Sequence, residues 1–401
     1  MGLLTSRQRL ENSKDNCKRG DVAGAEDDAL GVGDATLLGM VDERVQRVLV
    51  YRLGSLGDHL VALPSYRLVR RAFPGAEFRL LTNVPVSTKA PAAAAVLDGT
   101  ELVQGYMGYT VGTRSFLELL KLWWQIVRWR PQVLVYMAGA RGLEAARRDA
   151  RFFRMCGIGR QIGVPLTTAM QLNHYGETIA GVDEELEPEA ARLARNLAEL
   201  GGARLGDAAS WGLELTAEEK HAAAAAVGLK ALGWPVIAVS VGTKVQVKDW
   251  GKENWRALLG RVADKFPDHA LLLIGATEET EASEFAAADW KAKGGGPVVN
   301  LCGKLTPRES GAAMVRAKIF LGHDSGPMHL AAAVGVPCVA VFSGRNLPRQ
   351  WWPMGKQHRV IYHRVACQGC GLETCIELGK KCIVTIGVDE VMRAVEEVGV
   401  R

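Results

Sequence analysis

Residues 317–344 read AKIFLGHDSGPMHLAAAVGVPCVAVFSG, and this stretch decides the fold. Ile319, Phe320 and Leu321 form an apolar run that predicts a buried strand, followed by a small polar turn. Pro327 then falls at a first helical position, and a small-residue helix closes at Gly335. Val336 to Phe342 resumes as a second buried strand. In this strand, turn, helix, strand unit Asp324 or Ser325 can cap the helix, and Gly326 lets a ligand approach the backbone. The free N–H groups of such a helix start face the space outside the strand's carboxyl end, where an open parallel sheet binds anions such as a diphosphate. An ordinary capped βαβ unit would read the same on the turn alone.

The chain has 401 residues, of which 48% are hydrophobic, enough for two sizeable cores and a prior of two domains. No apolar run reaches the ~18 residues that would span a bilayer, which predicts a soluble protein. The N-terminus is interrupted by charges and lacks the apolar centre of an export signal, so a cytoplasmic location is expected. A net charge of +5 suits an anionic ligand or a membrane surface, without the dense basic stripe expected for nucleic acid. Eight cysteines in a chain expected to stay in the cytoplasm read as mostly reduced thiols.

Residues 1–44 are polar, rich in Gly, Asp and Ala, and without sustained periodicity, so they read as a disordered tail. Met40 stands just before the first ordered stretch, and a start assigned too far upstream would account for the tail without giving it a function. Val45 to Leu53 is a continuous apolar strand, the mark of burial on both faces. It runs into Gly54, Ser55, Leu56, Gly57, Asp58 and His59 and then a helix. Two glycines in that turn bring the backbone close to whatever occupies a cleft. Asp58 at the helix start serves equally as a cap or as a general base presented to a ligand.

The alternation continues with a strand at Glu77 to Thr82, a helix at Arg114 to Arg128, and a strand at Gln132 to Met137. The helix carries Trp123, Trp124 and Trp129 among basic residues. Adjacent tryptophans cannot both face one core, so one of the first two is a candidate for exposure; simple packing is preferred over membrane contact. Arg141, Arg147, Arg148, Arg151 and Arg154 then cluster, as a solvated face or as a site for an acidic acceptor. A helix over Asp183 to Leu200 and the pair Gly201-Gly202 mark the edge of the first domain.

The second domain opens on an Ala-rich helix and a strand at Pro235 to Val241, which ends in Gly242, Thr243 and Lys244. A helix starts near Glu253, and Lys244 or Lys248 supplies a cation beside another candidate anion site. Ala270 to Ile274 and Val298 to Leu301 are further strands. Three strand ends thus direct glycines and polar groups to one rim, and a doubly wound α/β sheet is the economical account.

The combination of GSLGDHLVALP after the first strand, KDWGKENW after the second domain's first strand, and GHDSGPMHLAAAVGVPCVAVFSG followed by WWP at 351–353 resembles the ADP-heptose:lipopolysaccharide heptosyltransferase family, glycosyltransferase family 9. The resemblance covers roughly residues 45–400. It implies a GT-B fold of two Rossmann-like domains facing a central cleft. An acceptor-binding domain at 45–210 would precede a nucleotide-sugar domain at 211–365, with a Cys-containing loop and helix at 366–401. It further implies an inverting enzyme that needs no metal or cofactor, with ADP-heptose as donor and a lipid-linked lipopolysaccharide core saccharide as acceptor, working peripherally at the inner face of the cytoplasmic membrane. The family's base falls on Asp58, with Ser55 beside the donor phosphates. Thr243 and Lys248 match its phosphate contacts, Leu305 an adenine-packing position and Glu278 a ribose-binding acid. Asp324, Ser325, Gly326, Met328 and His329 match the donor loop, and Arg141 and Arg147 are acceptor candidates. The chain departs from the pattern in the longer segment TKVQVKDWG and in His323, where a small or amide residue is frequent.

His329, one turn into the donor helix, is expected to reach a pyrophosphate and to titrate near ~6.5 in the free protein. Cys367, Cys370, Cys375 and Cys382 follow a C-x2-C-x4-C-x6-C spacing that suits either zinc or a reduced loop near the cleft, whereas Cys17, Cys156, Cys302 and Cys338 read as tail or core residues. Two function classes stay open: a heptosyl or related glycosyl transferase, and a GT-B-fold sugar-nucleotide epimerase, which would need acid and base carboxylates around the sugar and no lipid acceptor. A non-catalytic sugar-nucleotide binder is disfavoured by Asp58 at the cleft.

Overall fold

In the computed structural model the described residues are 41–83, 93–110, 113, 115–175, 186–231 and 233–399. The chain builds two parallel sheets. The first contains β1 (Arg47–Tyr51), β2 (Glu77–Asn83), β3 (Gly105–Tyr109), β4 (Val133–Tyr136) and β5 (Arg160–Ile162), in the order β3-β2-β1-β4-β5. Helices α1 (Leu56–Val61), α2 (Leu63–Ala72), α3 (Phe116–Trp129) and α4 (Leu143–Met155) connect them, and α5 (Glu189–Asn196) follows. After α6 (Ala217–Val227), the second sheet is laid down by β6 (Val236–Ser240), β7 (Ala270–Leu273), β8 (Val298–Asn300), β9 (Ala317–His323), β10 (Cys338–Phe342) and β11 (Arg359–Tyr362). Its order is β11-β10-β9-β6-β7-β8, with helices α7 (Lys252–Lys265), α8 (Pro307–Met314), α9 (Gly326–Ala333) and α10 (Val388–Val398) against it.

Every neighbouring pair of strands is parallel. The central strands are buried on both faces: β6 and β10 have no exposed residue at all, which is why their sequences run as unbroken apolar stretches instead of alternating. Strand order reverses between β1 and β4 in the first sheet and between β6 and β9 in the second. Chains leaving the carboxyl ends of strands at such a reversal diverge and open a crevice. The turn after β1 carries residues 54–58, the turn after β6 carries Lys248, and the turn after β9 carries residues 324–329. These three segments are therefore placed by topology at the two crevices.

The largest apolar cluster runs from Val48 and Val50 on the first sheet and Leu60 on α1 through Met314 on α8 to Ala238 and Phe320 on the second sheet, so the two halves share packing through the helices between them. A separate layer behind the second sheet gathers Trp250, Trp255, Trp290, Val391 and Val395, which fastens the C-terminal helix α10 onto that sheet.

The structure differs from the sequence reading in several places. Strands β3, β5 and β11 were not expected. Residues 1–40 lie outside the described part of the chain, but Val41 to Arg44, assigned to the tail, are tied down: the Asp42 N–H donates to Ala72 O at 2.9 Å and the Asp42 carboxylate accepts from Arg160 at 3.0 Å. The helix placed over 183–200 is described from Glu189 to Asn196 with a 3-10 turn at Ala198–Leu200, and residues 183–185 lie outside the described residues, as does Arg114. Of the adjacent tryptophans, Trp123 is half-buried and donates to Met155 O at 3.0 Å, whereas Trp124 is exposed. No helix among the described residues is long and apolar enough to cross a membrane.

Candidate active site

The turn after β1 is held from beneath by Arg52, a fully buried guanidinium that donates to Asp58 O at 2.6 and 3.0 Å and to Met137 O at 2.5 Å. Gly54 has φ +146°, and a Cβ there would stand 2.3 Å from Cβ of Asp58, so only glycine permits this turn. The Asp58 carboxylate folds back on the start of α1, where Oδ2 accepts from Ser55 N–H at 2.6 Å and from Ser55 Oγ at 2.9 Å. This is the capping role the sequence allowed. Oδ1 carries no hydrogen bond among the described residues and remains available to a ligand.

Helix α9 of the second sheet meets α1 of the first, N-terminus toward N-terminus. A Cβ on Gly326 would stand 2.5 Å from Cδ2 of Leu56, and a Cβ on Gly57 would stand 2.9 Å from Cδ2 of His329. The two glycines thus set how closely the helices approach, and backbone N–H groups from both converge on one cavity of about 280 Å³. Its walls are Ser55, Gly57 and Asp58 from the first sheet; Lys248, Asp324, Ser325, Gly326 and His329 from the second; and Arg345, Asn346 and Trp351 from the segment after β10.

Lys248 and Asp324 form a nearly buried pair, Nζ to Oδ2 at 2.7 Å, and Nζ also donates to Asp324 O at 3.2 Å. Asn346 Nδ2 donates to the same Oδ2 at 3.2 Å. Asp324 is thereby committed to fixing Lys248 and Asn346. Ser325 caps α9 with its backbone in the extended region, but its Oγ is buried with no partner among the described residues, a donor left over for a ligand. Lys244 is exposed, and its pKa is lowered, by desolvation first and by Lys248, against the opposing pull of Asp58 and Glu279. A second cation therefore stands near Asp58.

Burial depresses the pKa of His329 to about 4, with Asp324 and Asp58 pushing the other way and Lys248 adding to the fall. The expectation that His329 titrates near ~6.5 is corrected: desolvation of the imidazolium outweighs its acidic neighbours. His323 is likewise held near about 4 by burial; its Nε2 accepts from Trp250 N–H at 3.0 Å and Trp255 Nε1 at 3.1 Å. This departure from the family pattern is a core acceptor that anchors the turn carrying Lys248.

Several expected residues lie elsewhere. Met328 is fully buried, because the phase of α9 turns it into the core while His329 faces the cavity. Glu278 is exposed; the next residue, Glu279, instead lays its carboxylate over the ends of β6 and β7, where a Cβ on Gly242 or Gly275 would strike it, and Ala276 N–H donates to its Oε2 at 2.9 Å. Thr243 is half-buried on the same rim and Leu305 is half-buried against the core; neither lines the cavity. Arg141 is locked to Asp149 at 2.5 Å, with Tyr51 Oη at 2.9 Å and Tyr136 Oη at 3.0 Å, and Arg147 is exposed on α4. Neither arginine reaches the cavity.

The cysteine loop buttresses the cavity. Arg345 Nε donates to Leu372 O at 2.8 Å, Val247 N–H to Glu373 O at 3.2 Å, and Cys375 N–H to Gln246 Oε1 at 3.0 Å. Burial, helped by the neighbouring thiols, pushes the Cys367 and Cys382 thiols up. Among the described residues no group of three or more His, Cys, Asp or Glu side chains is placed to hold a metal ion.

Residues 150–381 match glycosyltransferase family 9 (heptosyltransferase). A stretch of 95 residues, 24% of this chain and 30% of the relative, is 28% identical to lipooligosaccharide heptosyltransferase 2 of Campylobacter jejuni; another of 50 residues, 12% of this chain and 15% of the relative, is 48% identical to lipopolysaccharide heptosyltransferase 3 of Escherichia coli. The matched stretches thus span less than a third of these curated relatives. Among solved structures, the family 9 glycosyl transferase from Veillonella parvula superposes with a TM-score of 0.63 at 17% identity, covering 88% of this chain and 97% of that one. The ADP-heptose lps heptosyltransferase II of E. coli superposes with a TM-score of 0.56 at 17% identity, covering 88% and 98%. Two parallel-sheet domains of this GT-B type and a family match over more than half of its length place the chain in glycosyltransferase family 9.

Proposed function

We propose that the protein transfers a sugar from a nucleoside diphosphate donor, heptose from ADP-heptose, onto a lipid-linked lipopolysaccharide core acceptor, with inversion and without a metal. The observation that carries this reading is the cavity between the two sheets, where Asp58 from one wall faces Lys248, Ser325 and the α9 amides of the other. The diphosphate sits on the α9 N-terminus and Lys248, and Ser325 Oγ gains its missing partner there. Glu279, over the ends of β6 and β7, is placed to accept from a ribose hydroxyl.

The acceptor hydroxyl attacks the anomeric carbon as Asp58 Oδ1 takes its proton, the new C–O bond forms, and the bond to the diphosphate oxygen breaks with its electron pair. Lys248 and the amides are already oriented toward the charge that develops on the leaving group, so they stabilise it without reorganising. Attack from the Asp58 wall on a carbon whose leaving group lies on the opposite wall is a single inverting displacement. The epimerase reading needs a second carboxylate free to exchange protons, and Asp324 is bound by Lys248 and Asn346. The acceptor approaches along the rim of the first sheet, where Arg141 and Arg147 follow β4. Its lipid anchor requires the protein to work against the inner face of the cytoplasmic membrane.

Deleting the gene and weighing the lipopolysaccharide tests the proposal. The expected core lacks one heptose and everything built on it, restored by the intact gene; a core of unchanged mass would contradict it.

A further inference from the structure

Helix α3 is apolar on two opposite faces. Leu122, Ile126 and Trp129 are buried against the first sheet. On the other side Phe116, Leu117, Leu120 and Trp124 are 74%, 74%, 44% and 55% exposed; Phe116, Leu120 and Trp124 fall in an i, i+4, i+8 row and Leu117 lies beside it at i, i+3, i+7 with Leu120 and Trp124, so the four share one face. A surface helix of a water-facing protein keeps that side polar. Lys121 and Arg128 flank the stripe with no carboxylate partner among the described residues, and the Arg128 guanidinium lies 5.5 Å from the Trp124 ring centre. At the carboxyl end of α3 a cavity of about 550 Å³ is lined by Arg47, Arg79, Arg128, Trp124 and Trp129; Arg79 is paired with Glu77 at 2.9 Å and Arg47 donates to Trp129 O at 2.8 Å, which leaves Arg128 as the arginine there without a carboxylate or carbonyl partner among the described residues.

Because α3 follows β3, its amino end lies at the carboxyl rim of the first sheet, the same rim that carries Asp58, while the arginine cavity lies toward the opposite end. We infer that the exposed face of α3 docks the protein on an anionic phospholipid bilayer, with the apolar stripe in the acyl boundary and the arginine cavity among headgroup phosphates. The mixture of large apolar side chains, a tryptophan at the boundary and the two cations Lys121 and Arg128 beside it fits that partner, since apolar insertion and attraction to anionic lipid add. The helix then lies flat in the interface with its amino end pointing to the cleft. Its purpose, delivering a lipid-linked acceptor, rests on the proposed function; its lipid binding does not.

Flotation of the full chain with vesicles of phosphatidylglycerol and phosphatidylcholine, against phosphatidylcholine alone, tests this. The wild type is expected to float with the anionic vesicles. Leu117→Ser/Leu120→Ser/Trp124→Ser is expected to lose more than about tenfold of that binding, and Lys121→Glu/Arg128→Glu the preference for anionic lipid. Unfolding temperatures of both variants should match the wild type, because the altered side chains are exposed. A wild type that ignores the vesicles, variants that bind as well as it does, or a dimer that the triple substitution splits would each overturn the assignment. Transfer to a water-soluble, lipid-free acceptor saccharide should survive in both variants. If the wild type binds vesicles through α3 but lacks that transfer, the docking face stands and the proposed function falls.

Discussion

A Cβ on Gly57 would stand 2.9 Å from Cδ2 of His329, so α1 of one sheet and α9 of the other touch through a glycine and an imidazole. The cavity between Asp58 and Lys248 exists because these two residues let the helices come that close. Gly57→Ala replaces a helical glycine by a better helix former, a gain of ~0.5–1 kcal/mol, against a steric cost of ~1–3 kcal/mol. The expected result is a small change in unfolding temperature together with about a tenfold loss of turnover as the walls are pushed apart. Measuring both on the same preparation checks it; full activity would show that the spacing is not critical.

Lys248 and Asp324 are a nearly buried pair, with side chains 16% and 6% exposed. Lys248→Ala leaves Asp324 with Asn346 alone, and breaking such a pair costs on the order of 3 kcal/mol of stability. Binding should divide by ligand: ADP affinity falls at least about tenfold and adenosine affinity little, because only the diphosphate gains from the ammonium. Calorimetric titration of both ligands is the check, and equal losses would remove Lys248 from the phosphate site.

Burial holds His59 near about 3 and His323, His329 and His358 near about 4. Their unfolded values are near ~6.5, so between pH 6.5 and 4 the unfolded chain binds more protons than the folded one. Stability is therefore full above ~6.5 and is lost as pH falls toward 4, each histidine adding a slope of up to about 1.4 kcal/mol per pH unit. Urea unfolding from pH 8 to 5 should show this decline, while donor affinity from pH 6 to 8 should contain no inflection that His329→Gln removes. Flat stability across that range would contradict the buried neutral rings.

The alternation of apolar runs with glycine turns made most of the central strands and both ligand-side turns legible. Strand β3 was not, because GYMGY is an edge strand with two glycines and a half-exposed pattern, and β5 has only three residues. The turn and helix after β9 were legible as a segment but not in their phase: Met328 faces the core and His329 the cavity, and Glu279, not Glu278, covers the strand ends, differences of one residue set by helix rotation. Arg345, Asn346 and Trp351 were missed because they come from an irregular segment after β10 with no local pattern. The His329 proton was misjudged for a related reason: its charge depends on burial between two sheets, which appears only when they meet.

The central claim is that Asp58 Oδ1 removes the acceptor proton. Asp58→Asn keeps an oxygen to accept from Ser55 and so keeps the turn, but cannot take a proton at neutral pH. The decisive measurement is single-turnover transfer by this variant beside its donor affinity. The rate should fall by about 10²–10⁴ while donor binding and unfolding temperature stay close to wild type. A folded Asp58→Asn protein that transfers at near the wild-type rate would make Asp58 a helix cap and nothing more.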